Sequence, residues 1–137
     1  MIVELAVAAD YANMAEHGKL NVSGIFDRIF ADQFPMSHPF MVLAFRLRFD
    51  SEDANQSHTT ELNLVAQDGT RLGGGIGEVH VGAVAEGQRE IFSQVVPFAG
   101  LSFPEAGEYR FVLRWDGVEK ASIPLSLLPL PTDSESA

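Results

Sequence analysis

Apolar residues recur at every second position along most of this chain, whereas the spacing of an amphipathic helix is nearly lacking. Alternation of this kind points successive side chains to opposite faces of a strand, so that one face packs on a core and the other meets water. The clearest run places its apolar side chains on one face: Met41, Leu43, Phe45, Leu47 and Phe49. The sequence therefore predicts an all-β fold.

Two Asp-Gly pairs, Asp68-Gly69 and Asp116-Gly117, each separate two alternating runs. Such a pair is a strong hairpin signal, because glycine accepts the positive φ that tight turns between antiparallel strands require. The predicted hairpins pair 60–67 with 70–81, and 108–116 with 118–128.

The first thirty residues carry a less regular pattern. Alternation predicts a long hairpin that pairs 3–12 with 19–29. The alanines of the same stretch favour helix, so that 3–12 could be partly helical or a short helix could form near 12–17. Prolines and polar residues predict loops at 31–40, 50–58 and 82–90. A further strand is predicted at 91–98.

A count of about eight strands separated by turn signals predicts an immunoglobulin-like antiparallel β-sandwich, with a small closed barrel as the alternative. We expect a single domain over 1–128 and a disordered tail over 129–137, because the tail is rich in proline, serine and acidic residues. The predicted core contains Leu43, Phe45, Tyr109, Phe111 and Trp115.

Composition disfavours several classes of function. The chain has 19 acidic and 9 basic residues, and a net charge of −10 repels nucleic acid and anionic membrane surfaces. The absence of cysteine excludes disulfides, thiolate metal sites and cysteine nucleophiles. Neither a signal peptide nor an apolar run of about 18 residues is recognisable, so we expect a cytoplasmic protein.

The segment FPEAGEYRF at 103–111 resembles the entry to a late strand in many immunoglobulin-like sandwiches. In those domains a glycine makes a tight corner, and a tyrosine hydroxyl bonds back to the backbone upstream. The resemblance implies that Gly107 and Tyr109 form such a tyrosine corner here.

Two further blocks, VELAVAADYA at 3–12 and GKLNVSGIFD at 18–27, extend the similarity over nearly the whole chain. Together with 103–111 they resemble a family of small stand-alone bacterial proteins of unknown function. The resemblance implies a single β-sandwich domain and supplies no catalytic residue.

Local motifs for catalysis, cofactors and metals are lacking. The four histidines, at positions 17, 38, 58 and 80, show none of the spacings of a metal site. Three of them fall in or beside predicted turns, so solvated loop positions are the favoured interpretation. His80 follows Val79 within a strand and could face either way. The acidic loop at 50–53 could bind calcium, but it lacks the EF-hand spacing, so solubilising carboxylates are favoured.

The glycine-rich run 73–77 lacks the lysine and the following helix of a phosphate-binding loop. Glycines in a strand more often mark a bulge, a kink or the close approach of another chain. We therefore expect no cofactor, and we expect that strand 72–77 could pair edge to edge across a dimer.

Asp10, Asp27 and Arg28 interrupt apolar segments. A charge buried alone in a sheet is costly, so it must be paired or solvated. One hypothesis is a structural ion pair of Arg28 with Asp10 or Asp27, and the other places all three charges on a solvated face.

The segment 25–34 carries apolar residues on both faces of the predicted strand and into the next loop. One face can join the core, whereas the other needs cover from the 31–40 loop or from a partner. Packing by that loop is the alternative to a contact surface, whose predicted residues are Ile25, Phe26, Ile29, Phe30 and Phe34.

These observations favour a non-enzymatic binding or assembly module that acts through protein–protein contacts. The expected partner is another protein or a second copy of the chain in a homo-oligomer, with no nucleic acid and no membrane. The alternative is a structural subunit of a larger bacterial or phage assembly. An enzyme or a calcium-dependent module is least favoured.

Overall fold

The alternating pattern becomes nine strands in the computed structural model, which describes residues 1–131. The strands are β1 (Ile2–Met14), β2 (Leu20–Ile25), β3 (Arg28–Ala31), β4 (Met36–Phe49), β5 (Gln56–Ala66), β6 (Arg71–Val81), β7 (Glu90–Phe103), β8 (Gly107–Trp115) and β9 (Val118–Pro129). The all-β prediction is confirmed.

The strands form two sheets, ordered β2-β1-β4-β7 and β3-β9-β8-β5-β6. Neighbouring strands are antiparallel, except that β3 runs parallel to β9. The sheets pack face to face as a β-sandwich. In the part of the chain that the structure describes, each sheet ends in free edge strands, so the closed-barrel alternative is wrong.

The core lies between the inner faces of the two sheets. All five predicted core residues are buried, and Trp115 stacks on Phe49 with 5.5 Å between ring centroids. The largest fully buried side chains come from both sheets: Met41, Leu43, Phe103, Phe111, Leu125 and Leu127. Removal of these apolar surfaces from water is the main stabilising contribution.

The predicted hairpin at the start of the chain is only partly correct. Pairing runs from Ala9 with Ile25 to Met14 with Leu20, around a single turn of 3₁₀ helix at Glu16–Gly18. Residues 3–12 therefore form a strand, and the helical alternative for them is wrong. The helix predicted near 12–17 is reduced to this one turn.

The second arm of that hairpin does not continue to residue 29. The backbone N–H of Phe26 donates to the carbonyl of Ala8 at 3.0 Å, and the chain then crosses to the other sheet. There the segment from Arg28 forms β3 beside β9, which accounts for the ninth strand. Residues 25–30 have apolar side chains on both faces and show no single alternation, because the segment begins in one sheet and ends in the other.

The predicted loop at 31–40 is wrong in its second half, because β4 begins at Met36. Pro39 lies within β4 where the strand has only β7 as a neighbour, since pairing with β1 begins at Val42. An edge position tolerates the missing N–H of proline, so the proline did not end the strand. The other two predicted loops, 50–58 and 82–90, are shorter in the structure, at 50–55 and 82–89, because β5 begins at Gln56 and β7 at Glu90. Strand β7 extends to Phe103, beyond the predicted end at residue 98.

Both hairpins predicted from Asp-Gly pairs are confirmed, as β5 with β6 and β8 with β9. The predicted disordered tail starts too early, because Pro129 ends β9 and the N–H of Leu130 donates to the carbonyl of Ala31 at 2.9 Å. The rest of that predicted tail, 132–137, lies outside the described residues. Within 1–131, helices of the length and hydropathy needed to cross a membrane do not occur.

Candidate functional site

The two sheets separate along the side where β6 and β7 form their edges, and a cleft of about 670 Å³ opens between them. Its floor belongs to the core, since the ring of Phe98 lies 5.5 Å from that of Phe111. Half-buried apolar side chains form much of the wall, among them Leu62, Phe92, Val96, Phe98 and Leu101. Within 1–131, the one ionisable residue at the cleft is Glu78, and its side chain lies on the outer face of β6 with that of its partner Thr59.

Three glycines of β6 lie on the face that looks into the cleft. Gly73, Gly75 and Gly77 pair with Leu64, Leu62 and Thr60 of β5, and cross-strand partners point to the same face. None of the three has a left-handed φ, and a Cβ built on any of them meets no atom within 4 Å. Neither backbone conformation nor crowding therefore requires glycine at these positions. The missing side chains keep the cleft open.

Gly74, between them, is a different case. Its φ is 155°, and a Cβ there would overlap the carbonyl oxygen of Leu62 and the side chain of Asn63. The strand also shifts register nearby, between Leu64 and Val65. Gly74 thus serves the close approach of β5 and β6 within the chain, whereas the roles predicted for this glycine-rich run are a bulge, a kink or the close approach of another chain.

The free edge of β6 is fully solvated in its first part. Residues 71–78 are all exposed, and Ile76 on the outer face keeps 73% of its surface accessible. An extended strand with unpaired N–H and C=O groups and exposed apolar residues can pair with another chain. The cleft therefore combines an apolar wall with a backbone edge.

A polar cluster lies at the end of the sandwich where β5 begins. His58 is buried against Trp115, with 4.5 Å between ring centroids. Its Nδ1 lies 2.7 Å from Oδ2 of Asp116, and its Nε2 lies 2.8 Å from the carbonyl oxygen of Asp53. Both partners only accept hydrogen bonds, so the doubly protonated ring satisfies both contacts.

Burial alone would lower the pKa of His58, but the bonds to Asp116 and to the Asp53 carbonyl raise it above its ordinary value. The hydrogen bond with His58 in turn holds the pKa of Asp116 below its usual range. The predicted solvated loop position is therefore wrong for His58. The signal was absent locally, because Asp116 lies 58 residues away along the chain.

The acidic loop at 50–53 is organised around Asp53, not around a shared cation site. Asp53 accepts the Met1 ammonium at 3.0 Å and the backbone N–H of Asp50 at 3.1 Å. Burial alone would raise the pKa of Asp53, but these two donors lower it. In 1–131, groups of three or more histidine and carboxylate side chains that could hold a metal ion do not occur.

The geometry separates the residues that a Ser-His-Asp triad would need. Ser57 Oγ lies 3.2 Å from Nδ1 of His80 on the exposed face, whereas His58, the next residue along β5, contacts Asp116 on the buried face. Adjacent residues of a strand point to opposite faces. The serine and the His-Asp pair therefore cannot act on one substrate atom.

The structure does not bring the five predicted contact residues together on one surface. Ile29 is buried in the core, and Phe26 and Phe34 pack against it as partly buried side chains. Ile25 and Phe30 are exposed. Ile25 and Phe26 line a smaller groove of about 270 Å³ beside Pro124. Three of the five predicted contact residues are thus packed on or in the core.

The predicted charged residues form at most a weak ion pair. Arg28 Nε lies 3.8 Å from Oδ1 of Asp27, and both side chains are mostly exposed. Asp10 is exposed as well and packs against Gly24, whose φ of 72° and lack of a Cβ leave room for the carboxylate. These positions match the hypothesis of a solvated face better than that of a structural pair.

The hydroxyl of Tyr109 donates to the carbonyl of Glu105 at 2.7 Å, which is the upstream backbone bond that the resemblance of 103–111 implies. The ring packs edge-on against Phe103 at 5.1 Å, and Gly107, with a φ of 150°, begins β8. This corner fixes the entry to β8, so its role is structural.

The sequence did not predict the cleft wall that β7 contributes. Its residues Phe92, Val96 and Phe98 come to face β6 only when the two sheets pack on each other. The signal that could have found it is the placement of glycine at alternate inward positions of β6. Among curated proteins, none matches the sequence. A family model matches residues 4–128. The chain therefore belongs to DUF6941, a family of unknown function.

Proposed function

We propose that this protein is a non-enzymatic binding module that contacts a protein partner through the cleft between β6 and β7. The observation that carries the proposal is an apolar cleft of about 670 Å³ beside a free strand edge, kept open by glycines that the backbone does not require. Apolar walls left half-exposed gain stability when a partner covers them.

The chemistry of the wall supports binding over catalysis. General acid–base catalysis needs positioned groups of matched pKa, usually in pairs. Of the residues that line the cleft in the described structure, Glu78 alone is ionisable, and its side chain lies on the outer face of β6. Buried His58 and exposed Asp116 are not among the residues that line the cleft, and their contact ties β5 to the turn after β8.

Comparative capture from a lysate of the source cells tests the proposal. The baits are the parent chain, Gly75→Val and Gly82→Val. The first substitution fills the cleft, and the second makes the same change in the loop after β6, where a Cβ likewise meets no atom within 4 Å. We expect a protein that the parent and Gly82→Val retain and that Gly75→Val loses. Equal recovery on all three baits would contradict the proposal.

A second candidate function is a structural subunit of a larger bacterial or phage assembly, or a homo-oligomer. The free edge of β6, with exposed Leu72 and Ile76, favours it, because such edges pair between copies. Light scattering at rising concentration should then report assembly that Ile76→Lys abolishes. A parent chain that stays monomeric throughout excludes this candidate.

Finer features accompany the proposal. The tyrosine bond at Tyr109 supports an immunoglobulin-like relationship, and the net charge of −10 supports a protein that binds neither nucleic acid nor membrane. A bacterial family, a stand-alone domain over 1–128 and a cytoplasmic location stay predictions of the sequence.

A further inference from the structure

We infer that the partner contributes an extended strand, which pairs with the free edge of β6 and places apolar side chains opposite Gly73, Gly75 and Gly77. This inference rests on the proposed function and specifies the chemistry of its partner. The partner segment is an unfolded or exposed peptide of alternating apolar residues, which completes the sandwich by adding a strand to it.

The first argument is the choice of edge. Strands β2 and β3, at the other side of the sandwich, have only 6 and 4 residues. Strand β7 has 14 residues but contains Pro97, which lacks an N–H and blunts an edge for pairing. Strand β6 has 11 residues and no proline, and from Gly73 to Val81 it pairs with β5 in regular register. It is the edge best suited to accept a strand.

The second argument is the spacing of the glycines. Side chains of an added strand alternate between faces, and those on the inner face lie beside the inner positions of β6. Those positions are Gly73, Gly75 and Gly77, which fill none of the space beside them. Apolar side chains at every second position of the guest can therefore cover Phe92, Val96 and Phe98 across the cleft.

Charge narrows the chemistry of the guest further. The wall is largely apolar, and within 1–131 its one ionisable residue, Glu78, turns its side chain to the outer face. A charge at the centre of the guest would therefore lose its hydration without a partner of opposite sign. The chain as a whole carries −10. Basic residues at the two ends of an apolar segment would therefore be attracted, whereas acidic ends would be repelled.

A second copy of this chain does not match the cleft as well as a strand that carries apolar side chains on its inner face. A second copy that paired through its own β6 would present glycines at the same inner positions. Such a dimer would extend the sheet and leave the apolar wall uncovered, so the observations favour a strand from a different protein.

The test uses a synthetic peptide of about nine residues, the length of an ordinary strand, in which valine alternates with threonine between terminal lysines. Calorimetric titration into the full chain should show saturable binding, weakened at least about tenfold by Gly75→Val and unchanged by Gly82→Val. Gly77→Val is a second cleft-filling variant in case the first fails to fold. Amide hydrogen exchange should slow in β6 when the peptide is bound, and not in β2 or β3.

A second peptide separates strand pairing from simple apolar docking. It keeps every side chain but carries N-methyl groups on the residues whose N–H groups would face β6, so it cannot donate to the edge. Loss of binding supports pairing. Equal binding of both peptides, or binding of an apolar dye or fatty acid with no binding of the peptide, would overturn the inference.

The outcomes also separate this inference from the proposed function. If no strand peptide binds but capture of a partner still depends on Gly75, the strand is wrong and the binding cleft stands. If Gly75→Val changes neither capture nor peptide binding, both are wrong. A parent chain that forms dimers which protect β6 from exchange would assign the edge to a second copy and overturn the inference.

Discussion

Each lateral side of the sandwich is formed by two edge strands, but one side is closed and the other is open. On one side the chain leaves β2, crosses between the sheets and forms β3, so that Ile29 enters the core, and a smaller groove of about 270 Å³ lies at the crossing. On the other side β6 and β7 leave a cleft of about 670 Å³. The comparison shows that an open side is not a necessary result of this topology.

The difference lies in what the edge strand turns inward. Strand β3 buries Ile29 and Ala31, whereas β6 turns Gly73, Gly75 and Gly77 toward the interior. Glycine weakens a strand, because it packs nothing and loses more conformational freedom on folding than other residues. Side chains at these positions would help to close the second side, and the chain has none. The open side is therefore specified by the sequence of β6.

The largest expected effect is the loss of a side chain from the closed side. Ile29→Ala should lower the free energy of unfolding by about 2–5 kcal/mol, because it removes buried methylene groups and leaves a cavity. Ile76→Ala on the open side should change it by less than about 0.5 kcal/mol, because its side chain is mostly solvated. Urea unfolding measures both, and equal losses would refute the distinction between the two sides.

Those two residues also show how far the sequence could predict the structure. Alternation and Asp-Gly turns act between neighbours along the chain, so β5 with β6 and β8 with β9 follow directly. The burial of Ile29 is harder to predict, because residues 25–30 pass from one sheet to the other and show no single alternation. The cleft and the burial of His58 depend on residues far apart in sequence that only the packed sandwich brings together. Local pattern carries no record of such contacts.

The polar cluster beside the cleft should give the next largest effect. His58 of β5 pairs with Val79 of β6. It therefore helps to fix the part of β5 that lies next to the cleft. His58→Phe keeps an aromatic ring beside Trp115 but removes both hydrogen bonds, and should destabilise the protein by about 1–3 kcal/mol. Thermal unfolding at pH 6 checks this loss, and an unchanged transition would contradict it.

The same substitution gives a signed pH prediction. The folded state raises the pKa of His58, so it binds the proton more tightly than the unfolded chain. This contribution to stability is fully present below about 6.5, the ordinary pKa of histidine, and is lost as the pH rises through the higher folded value. The parent should therefore lose stability above that pH by an increment that His58→Phe lacks. Parallel curves for the two proteins would exclude the charged ring.

A larger side chain should lower the free energy of unfolding in a well-packed part of the molecule and raise it in an open part. Ala8 is buried among core side chains, so Ala8→Val should lower the free energy of unfolding by about 1–3 kcal/mol through overpacking. A Cβ at Gly75 meets no atom within 4 Å, so Gly75→Val should raise the free energy of unfolding by about 0.5–1 kcal/mol, because valine favours strands and glycine does not. Urea midpoints distinguish the two signs. A destabilised Gly75→Val would mean that the cleft is needed for folding.

The smallest expected effect belongs to the charged pair at the crossing on the closed side. Arg28 and Asp27 keep 67% and 72% of their side chains accessible at a separation of 3.8 Å. Exposed pairs gain little, since water screens the attraction and ordering long side chains opposes it. Arg28→Met should therefore leave both the melting temperature and its pH dependence unchanged within error. A clear loss would show that the pair holds the crossing, so that charge as well as Ile29 closes this side.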